Sequence, residues 1–250
     1  MDETAGADIE AVIDGIAHKM AVEMGAELVR VQGAVAIRYR SPLHHPWPRA
    51  VDLTLDILAA DLPSTVAAAQ ATVAAGEPHR AHVFGCDVGG HAAAIEAAGY
   101  DGCWNTQLLA LDLAAAQVAT AADLAIETVE REAQIDELNA LQPEFPSYRE
   151  SRGRPEFFDL LGRRAGAAVA KGQIVCASRH AAYVADMFTA ARERNTGCAG
   201  AMLSALHEEA RRRGLRRAVL IPSLMAAETS FYDKRGYRRV STDAVLLSKS

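Results

Sequence analysis

The residues best equipped for chemistry are Arg194-Asn195-Thr196-Gly197-Cys198-Ala199-Gly200, a glycine turn that runs into a long amphipathic pattern. The first turn of a helix carries N–H groups without intrahelical acceptors and a partial positive charge, which suits phosphate. Small residues at Gly197, Ala199 and Gly200 let an anion approach the backbone. Successive amides from Asn195 to Gly200 can form an anion nest, and Arg194 adds charge. Read from these residues alone, the turn is either a phosphate or pyrophosphate site or a plain loop.

Neighbouring residues give the turn a context. Arg194-x-x-Gly197-x-Ala199 resembles the R/Q-x-x-G-x-G/A signature of the GNAT superfamily of acyltransferases. Asp186-Met187-Phe188-Thr189 resembles the family's central strand, and Ser230-Phe231-Tyr232-Asp233-Lys234-Arg235-Gly236-Tyr237 resembles its F-Y-x-x-x-G-F/Y element. Arg194 and Tyr232 lie 38 residues apart, with a helix and a strand expected between them. The resemblance covers roughly residues 120–250; the first half looks like the degenerate companion domain of tandem members.

The resemblance implies a set of roles. The pyrophosphate of acetyl-CoA or another acyl-CoA sits on the amides of Asn195, Thr196, Gly197, Cys198, Ala199 and Gly200, beside Arg194. The pantetheine arm bonds the backbone of Met187, Phe188 and Thr189, and the thioester lies where that strand splays from the next. Tyr232 is the general acid, since a phenol with a pKa near about 10 keeps its proton at neutral pH. A base is harder to place, because Tyr183 stands where many members carry a Glu. Asp186 is the nearest carboxylate, although strand alternation points it away from the Tyr183 face. His180, read as lying on the neighbouring strand, and a water chain to a more distant group are the other options. Met225 and Glu228 depart from the Asn and Ala common before the tyrosine.

These residues need elements to hold them. The periodicity predicts a helix over 8–24, strands on either side of Gln32-Gly33, a loop over Ser41–Pro48, and a strand over Val51–Leu58. A helix over Pro63–Ala75, a strand over Ala81–Asp87, a short helix over His91–Ala98 and a strand over Trp104–Leu113 complete the first half. The second half reads as a strand over Leu124–Val129, helices over Ala133–Leu141 and Glu156–Arg163, and three strands across Ala165–Ala190. It continues with a helix over Cys198–Arg213, a strand over Ala218–Pro222, a helix over Met225–Arg235 and a strand over Arg238–Leu247. Met202, Leu203, Leu206 and Ala210 line the buried side of the helix after the turn, with Glu208, Glu209, Arg211 and Arg212 facing water. The run Arg211 to Arg217 reads as a solvated helix end or as help with an anionic cofactor.

Sliding the chain by 137 residues lays Ala81–Asp87 on Ala218–Leu224 and Gly99-Tyr100 on Gly236-Tyr237, a weak internal repeat. At that offset Tyr232 falls on Ile95, and Arg194 and Gly197 fall on Ile57 and Ala60, so the first half lacks the chemistry. The expected fold is therefore α/β, two GNAT-like domains each with a mixed, mostly antiparallel sheet flanked by helices. Residues 1–118 form the degenerate half, a wall of the acceptor pocket, and 119–250 the catalytic one. The loop His44-His45-Pro46-Trp47-Pro48 reads as an exposed loop or an acceptor-site lining. Gly89-Gly90 reads as a turn.

Composition narrows the function. The 250 residues carry a formal net charge of −6, which disfavours nucleic acid. Cys86, Cys103, Cys176 and Cys198 form no CxxC, so neither a zinc site nor a disulfide framework is signalled and no metal is expected. Without an apolar run of membrane-spanning length or a leader pattern, the expectation is a cytoplasmic monomer or homodimer with no membrane partner. The expected activity is N-acetyltransferase chemistry, moving an acyl group from acyl-CoA to a primary amine of a small-molecule acceptor. The alternative is a non-catalytic protein of the same fold that binds CoA or another ligand as a sensor or sequestering partner.

Overall fold

The structure is a computed structural model describing residues 3–248 apart from 32–33, 44–48, 57–66, 68–69, 75–76, 85–92, 94–95 and 223–228. Its strands are β1 (Glu27–Val31), β2 (Ala34–Leu43), β3 (Arg49–Asp56), β4 (His79–Phe84), β5 (Tyr100–Asp112), β6 (Leu124–Thr128), β7 (Phe157–Arg164), β8 (Ala167–Val175), β9 (Ala181–Thr189), β10 (Arg217–Leu220) and β11 (Arg238–Ser248). The helices used below are α1 (Glu3–Met24), α2 (Glu132–Leu141), α3 (Cys198–Arg212) and the short α4 (Thr229–Asp233).

All eleven strands join one sheet in the order β1-β2-β3-β4-β11-β5-β10-β9-β8-β7-β6. The two halves repeat one scheme. β2 runs antiparallel to β3 and β3 parallel to β4, as β8 runs antiparallel to β9 and β9 parallel to β10. Their closing strands are exchanged. β5, which ends the first half, pairs with β10 of the second, and β11 pairs with β4 of the first. β5 and β11 also pair with each other, so the seam between the halves is a continuous ladder.

Alternation along the strands builds two apolar faces. Leu108 and Ala110 of β5 pack with Ile9, Val12 and Ile13 of α1, while Leu109 and Leu111 pack with Met202, Leu203 and Leu206 of α3. Helices α1 and α3 therefore cover opposite faces. Helix α2 shares the α1 side, since its Ile135 and Leu138 meet Leu161, whereas Leu160 belongs to the α3 side. α1 fits closely against β9: a Cβ on Gly15 would lie 2.5 Å from the Cβ of Tyr183.

Several expectations change. Glu156–Arg163 is not a helix but most of β7, bonded to strands on both sides. A strand covered on both faces carries apolar residues at adjacent positions, here Phe157-Phe158 and Leu160-Leu161, and their spacing does not distinguish it from a helix. Two strands, not three, span 165–190, with a Gly166 turn before β8. His180 lies in the β8–β9 connection, not on a strand, and its Nε2 is 3.0 Å from Oδ1 of buried Asp8. Ser41–Leu43 extends β2 across a register shift, which is how the strand tolerates Pro42. Of the helix expected over 225–235, the described residues show only α4. The helix read over 63–75 and the short one over 91–98 fall largely outside the described residues. The loop 44–48, Gly89-Gly90, Ile57, Ala60, Ile95, Met225 and Glu228 lie outside them altogether.

Candidate active site

The parallel pair β9–β10 opens partway along. Three pairs hold it together: Arg217↔Ala181, Ala218↔Ala182 and Val219↔Tyr183. β10 then ends at Leu220 while β9 runs on to Thr189, leaving the β10-facing edge of Val184–Thr189 without a paired strand among the described residues. A bulge accompanies the parting. The β8–β9 register passes from Gln173↔Ala185 to Lys171↔Phe188, with Asp186 in the left-handed region at φ 51°. Met187 sends its side chain toward α3, where its Sδ lies 2.8 Å from the position of a Cβ on Gly172. Its backbone, with that of Phe188 and Thr189, lies along that edge of β9.

Beyond β9 the chain turns into α3. Asn195 (φ 62°) and Gly197 (φ 87°) are both left-handed, and Gly197 is the N-cap. Glycine is favoured at 197 because that φ strains an L side chain. The amides of Cys198, Ala199 and Gly200 occupy the first turn, where no intrahelical acceptor exists. Arg164, at the end of β7, braces the turn by bonding the Glu193 carboxylate and, at 3.1 Å, Thr196 Oγ1. Thr196 Oγ1 itself donates to Glu193 O at 2.7 Å or lies 3.2 Å from Cys198 Sγ. Arg194 is exposed beside the turn.

The buried side of α3 is as expected, with Met202, Leu203, Leu206 and Ala210 buried, but Glu209 is buried as well. Ion pairs to Arg212 and Arg213 permit that burial. The arginine run stands at the far end of α3 from the turn, roughly 20 Å away at the usual helical rise. Arg211 bonds Leu113 O at 2.8 and 2.9 Å, and Arg217 chelates Asp8. These cations tie segments together and do not border the turn before α3.

Tyr232 is half-buried on α4, edge-on to Phe231 (ring centroids 4.9 Å apart) and to Tyr237 (5.5 Å). Tyr237 is fully buried, and its hydroxyl lies 2.8 Å from His207 Nε2 on α3. Burial, reinforced by Arg211, lowers the His207 pKa to about 4. A neutral imidazole therefore supports Tyr237, which in turn packs against Tyr232.

On the α1 side of the sheet Asp186 joins a group of buried polar residues whose other members the sequence did not single out. Lys19 Nζ donates to Glu23 (2.6 Å), Gln173 (2.6 Å) and Asp186 (2.8 Å). Gln173 Nε2 reaches Glu23 Oε1 and Asp159 Oδ1, each at 2.8 Å. The bulge is why Asp186 joins them, since it turns the carboxylate onto the same face as Tyr183, contrary to simple alternation. Burial alone would raise the Asp186 pKa, but the charge of Lys19 outweighs it and holds the carboxyl low. Asp159, with burial dominant, is raised to about 7. Lys171 is buried nearby, its Nζ bonding Phe145 O at 2.7 Å. The sequence did carry a signal: Lys19 and Glu23 continue the stripe Ile9, Val12, Ile16 that faces the sheet.

Residues 173–240 match the family described as "Acetyltransferase (GNAT) domain". No curated protein matches. Among solved structures, a GCN5-related N-acetyltransferase from Kribbella flavida is similar at TM-score 0.70 and 17% identity, covering 98% of this chain and 94% of that one. A GCN5-related N-acetyltransferase from Sphaerobacter thermophilus follows at 0.59 and 15%, covering 98% and 91%. A tandem GNAT protein from the clavulanic acid biosynthesis pathway stands at 0.59 and 11%, covering 99% and 95%. At such identities the likeness establishes the fold. Among the described residues no group of three or more His, Cys, Asp or Glu is placed to hold a metal, and no helix is long and apolar enough to cross a membrane.

Proposed function

We propose, from the match of residues 173–240 to the GNAT-domain family and the fold likeness over nearly the whole chain, that the protein transfers an acetyl or other acyl group from acyl-CoA to a primary amine of a small molecule. The observation that carries this is the opening of β9 from β10 just ahead of the braced start of α3. The residues fit an acyl-CoA: a strand edge without a paired strand among the described residues for an amide-rich arm, then helix N-terminal amides for a pyrophosphate. Bound there, acyl-CoA supplies a thioester carbonyl open to attack and a thiol leaving group.

The chain's residues then have distinct tasks. Met187, Phe188 and Thr189 hold the arm through their backbone, and the turn from Arg194 to Gly200 holds the phosphates. As the amine nitrogen bonds the carbonyl carbon and the carbon–sulfur bond breaks, Tyr232 gives its phenolic proton to sulfur. The amine's own proton must go elsewhere. Asp186 is poorly suited, because its carboxylate is bonded to Lys19 and held low. Asp159, two strands away across the same face, has proton affinity near neutrality; we assign it the distant end of a water path. Residues 1–118 contribute α1 as a wall beside the site. We place the enzyme in the cytoplasm as a monomer or homodimer, acting without metal, nucleic acid or membrane.

Calorimetry with acetyl-CoA, longer acyl-CoAs and CoA, followed by turnover with a panel of amines, tests the reading. Binding of one thioester with turnover that falls in Tyr232→Phe supports it. Binding without turnover of any amine favours the sensor or sequestering alternative. A pH–rate profile whose limb near neutrality disappears in Asp159→Asn, but survives in a folded Asp186→Asn, supports the assignment of the base.

A further inference from the structure

Arg235 lies three residues past Tyr232 and reaches back to the start of α3. Its guanidinium carbon stands 3.8 Å from the centroid of the Phe231 ring, and NH1 donates to Phe231 O at 3.0 Å. NH2 lies 2.6 Å, and Nε 3.3 Å, from where a Cβ on Gly200 would be. Gly200 is the third residue of α3. Its missing side chain is the space the guanidinium uses, so the two positions are complementary.

The environment of this arginine is one-sided. Its Nε is buried without a hydrogen-bond partner, and no carboxylate among the described residues pairs with it. Burial, only partly opposed by Tyr232, lowers its pKa. The residue as a whole is half-buried, but a guanidinium nitrogen shut off from water without an acceptor is costly. The basic run at the other end of α3 is, by contrast, well supplied with acceptors. A planar guanidinium stacked on an aromatic ring, next to helix N-terminal amides, is arranged to take a phosphate through its free edge.

We infer that Arg235 is a phosphate ligand for the nucleotide end of the acyl-CoA, completing from the turn after α4 the anion site that the start of α3 begins. This rests on the acyl-CoA reading above. It ties the phosphate site physically to Tyr232, whose carbonyl accepts the Arg235 amide at 2.9 Å. It also gives the protein a means of preferring a nucleotide-bearing thioester over a bare pantetheine thioester. The shared chemistry is a phosphate; the diphosphate and the 3′-phosphate of CoA are its two sources.

The test is calorimetry on the full chain with acetyl-CoA, its 3′-dephospho form, and acetyl-pantetheine, the last by displacement of acetyl-CoA. Wild type is compared with Arg235→Gln and Arg235→Lys, with melting temperatures recorded alongside. Loss of a charge-assisted phosphate bond weakens acetyl-CoA about tenfold or more in Arg235→Gln, with Arg235→Lys recovering part. Affinity for acetyl-pantetheine stays unchanged. If the loss persists with the dephospho compound the contact is to the diphosphate; if it vanishes there, to the 3′-phosphate. Equal acetyl-CoA affinity in Arg235→Gln, or a loss shared by acetyl-pantetheine, overturns the inference and leaves a packing role. If Arg235→Gln does not fold, Arg235→Lys decides: weaker acetyl-CoA binding with acetyl-pantetheine unchanged supports the contact, and unchanged affinity for both contradicts it. A wild-type chain that binds no CoA species removes the acyl-CoA reading itself, and this inference with it.

Discussion

The two halves share a scheme of strands but differ at one pair. In the first half β3 and β4 stay paired over six residues, from Val51↔His79 to Asp56↔Phe84. In the second half β9 and β10 keep three pairs and then part. A closed parallel pair bonds its own backbone, while an open one offers those groups to a ligand. The bulge at Asp186, beside the opening, has no counterpart along the paired stretch of β3. On the proposed acyl-CoA reading, the difference places the site at a local departure from regular pairing, on a framework that both halves use.

The sharpest way to break the comparison is to separate the halves. β5 and α1 are first-half elements built into the second, so residues 119–250 expressed alone should give no cooperative thermal transition by circular dichroism. A stable fragment that still binds acetyl-CoA would mean the first half is dispensable. Next comes Gly197→Glu, which places a side chain at φ 87° and an acid at the anion turn. It should weaken acetyl-CoA by about 100-fold or more in calorimetry, since strain and charge repulsion act together. Tyr232→Phe is expected to lower turnover by about 100-fold with acetyl-CoA affinity kept, the range for a lost general acid. Lys19→Met leaves Glu23 and Asp186 buried without their cation and should cost about 3–5 kcal/mol in urea unfolding.

The smallest expected effect is in pH dependence. Asp159 has a folded pKa raised to about 7. Its contribution to stability is full below its unfolded pKa and is lost as pH rises through about 7. Asp159→Asn removes that decline, so relative to wild type the variant gains stability as pH rises from about 4 to about 7. A constant difference across that interval would show that Asp159 does not titrate in the folded protein there.

The sequence made part of this legible. The turn at Arg194–Gly200 and the helix after it carry local signals, namely small residues, a left-handed glycine and a 3.6-residue stripe, and these survive folding unchanged. The recurrence of Gly99-Tyr100 at Gly236-Tyr237 marked equivalent starts of β5 and β11. What stayed hidden depends on partners far along the chain. Phe157–Arg164 is a strand because β6 and β8 flank it, which no local pattern states. The exchange of β5 and β11 is a choice between equivalent edges. The direction of Asp186 depends on a bulge, and the role of Arg235 emerges only when Gly200, 35 residues earlier, is brought against it.

Hydrogen–deuterium exchange with and without acetyl-CoA tests the central claim most directly, because it reads both parallel pairs in one experiment. The account predicts added protection at Val184–Thr189 and at Asn195–Gly200, with β3 and β4 unchanged. Protection confined to the first half, or none in the second at saturating ligand, would contradict it.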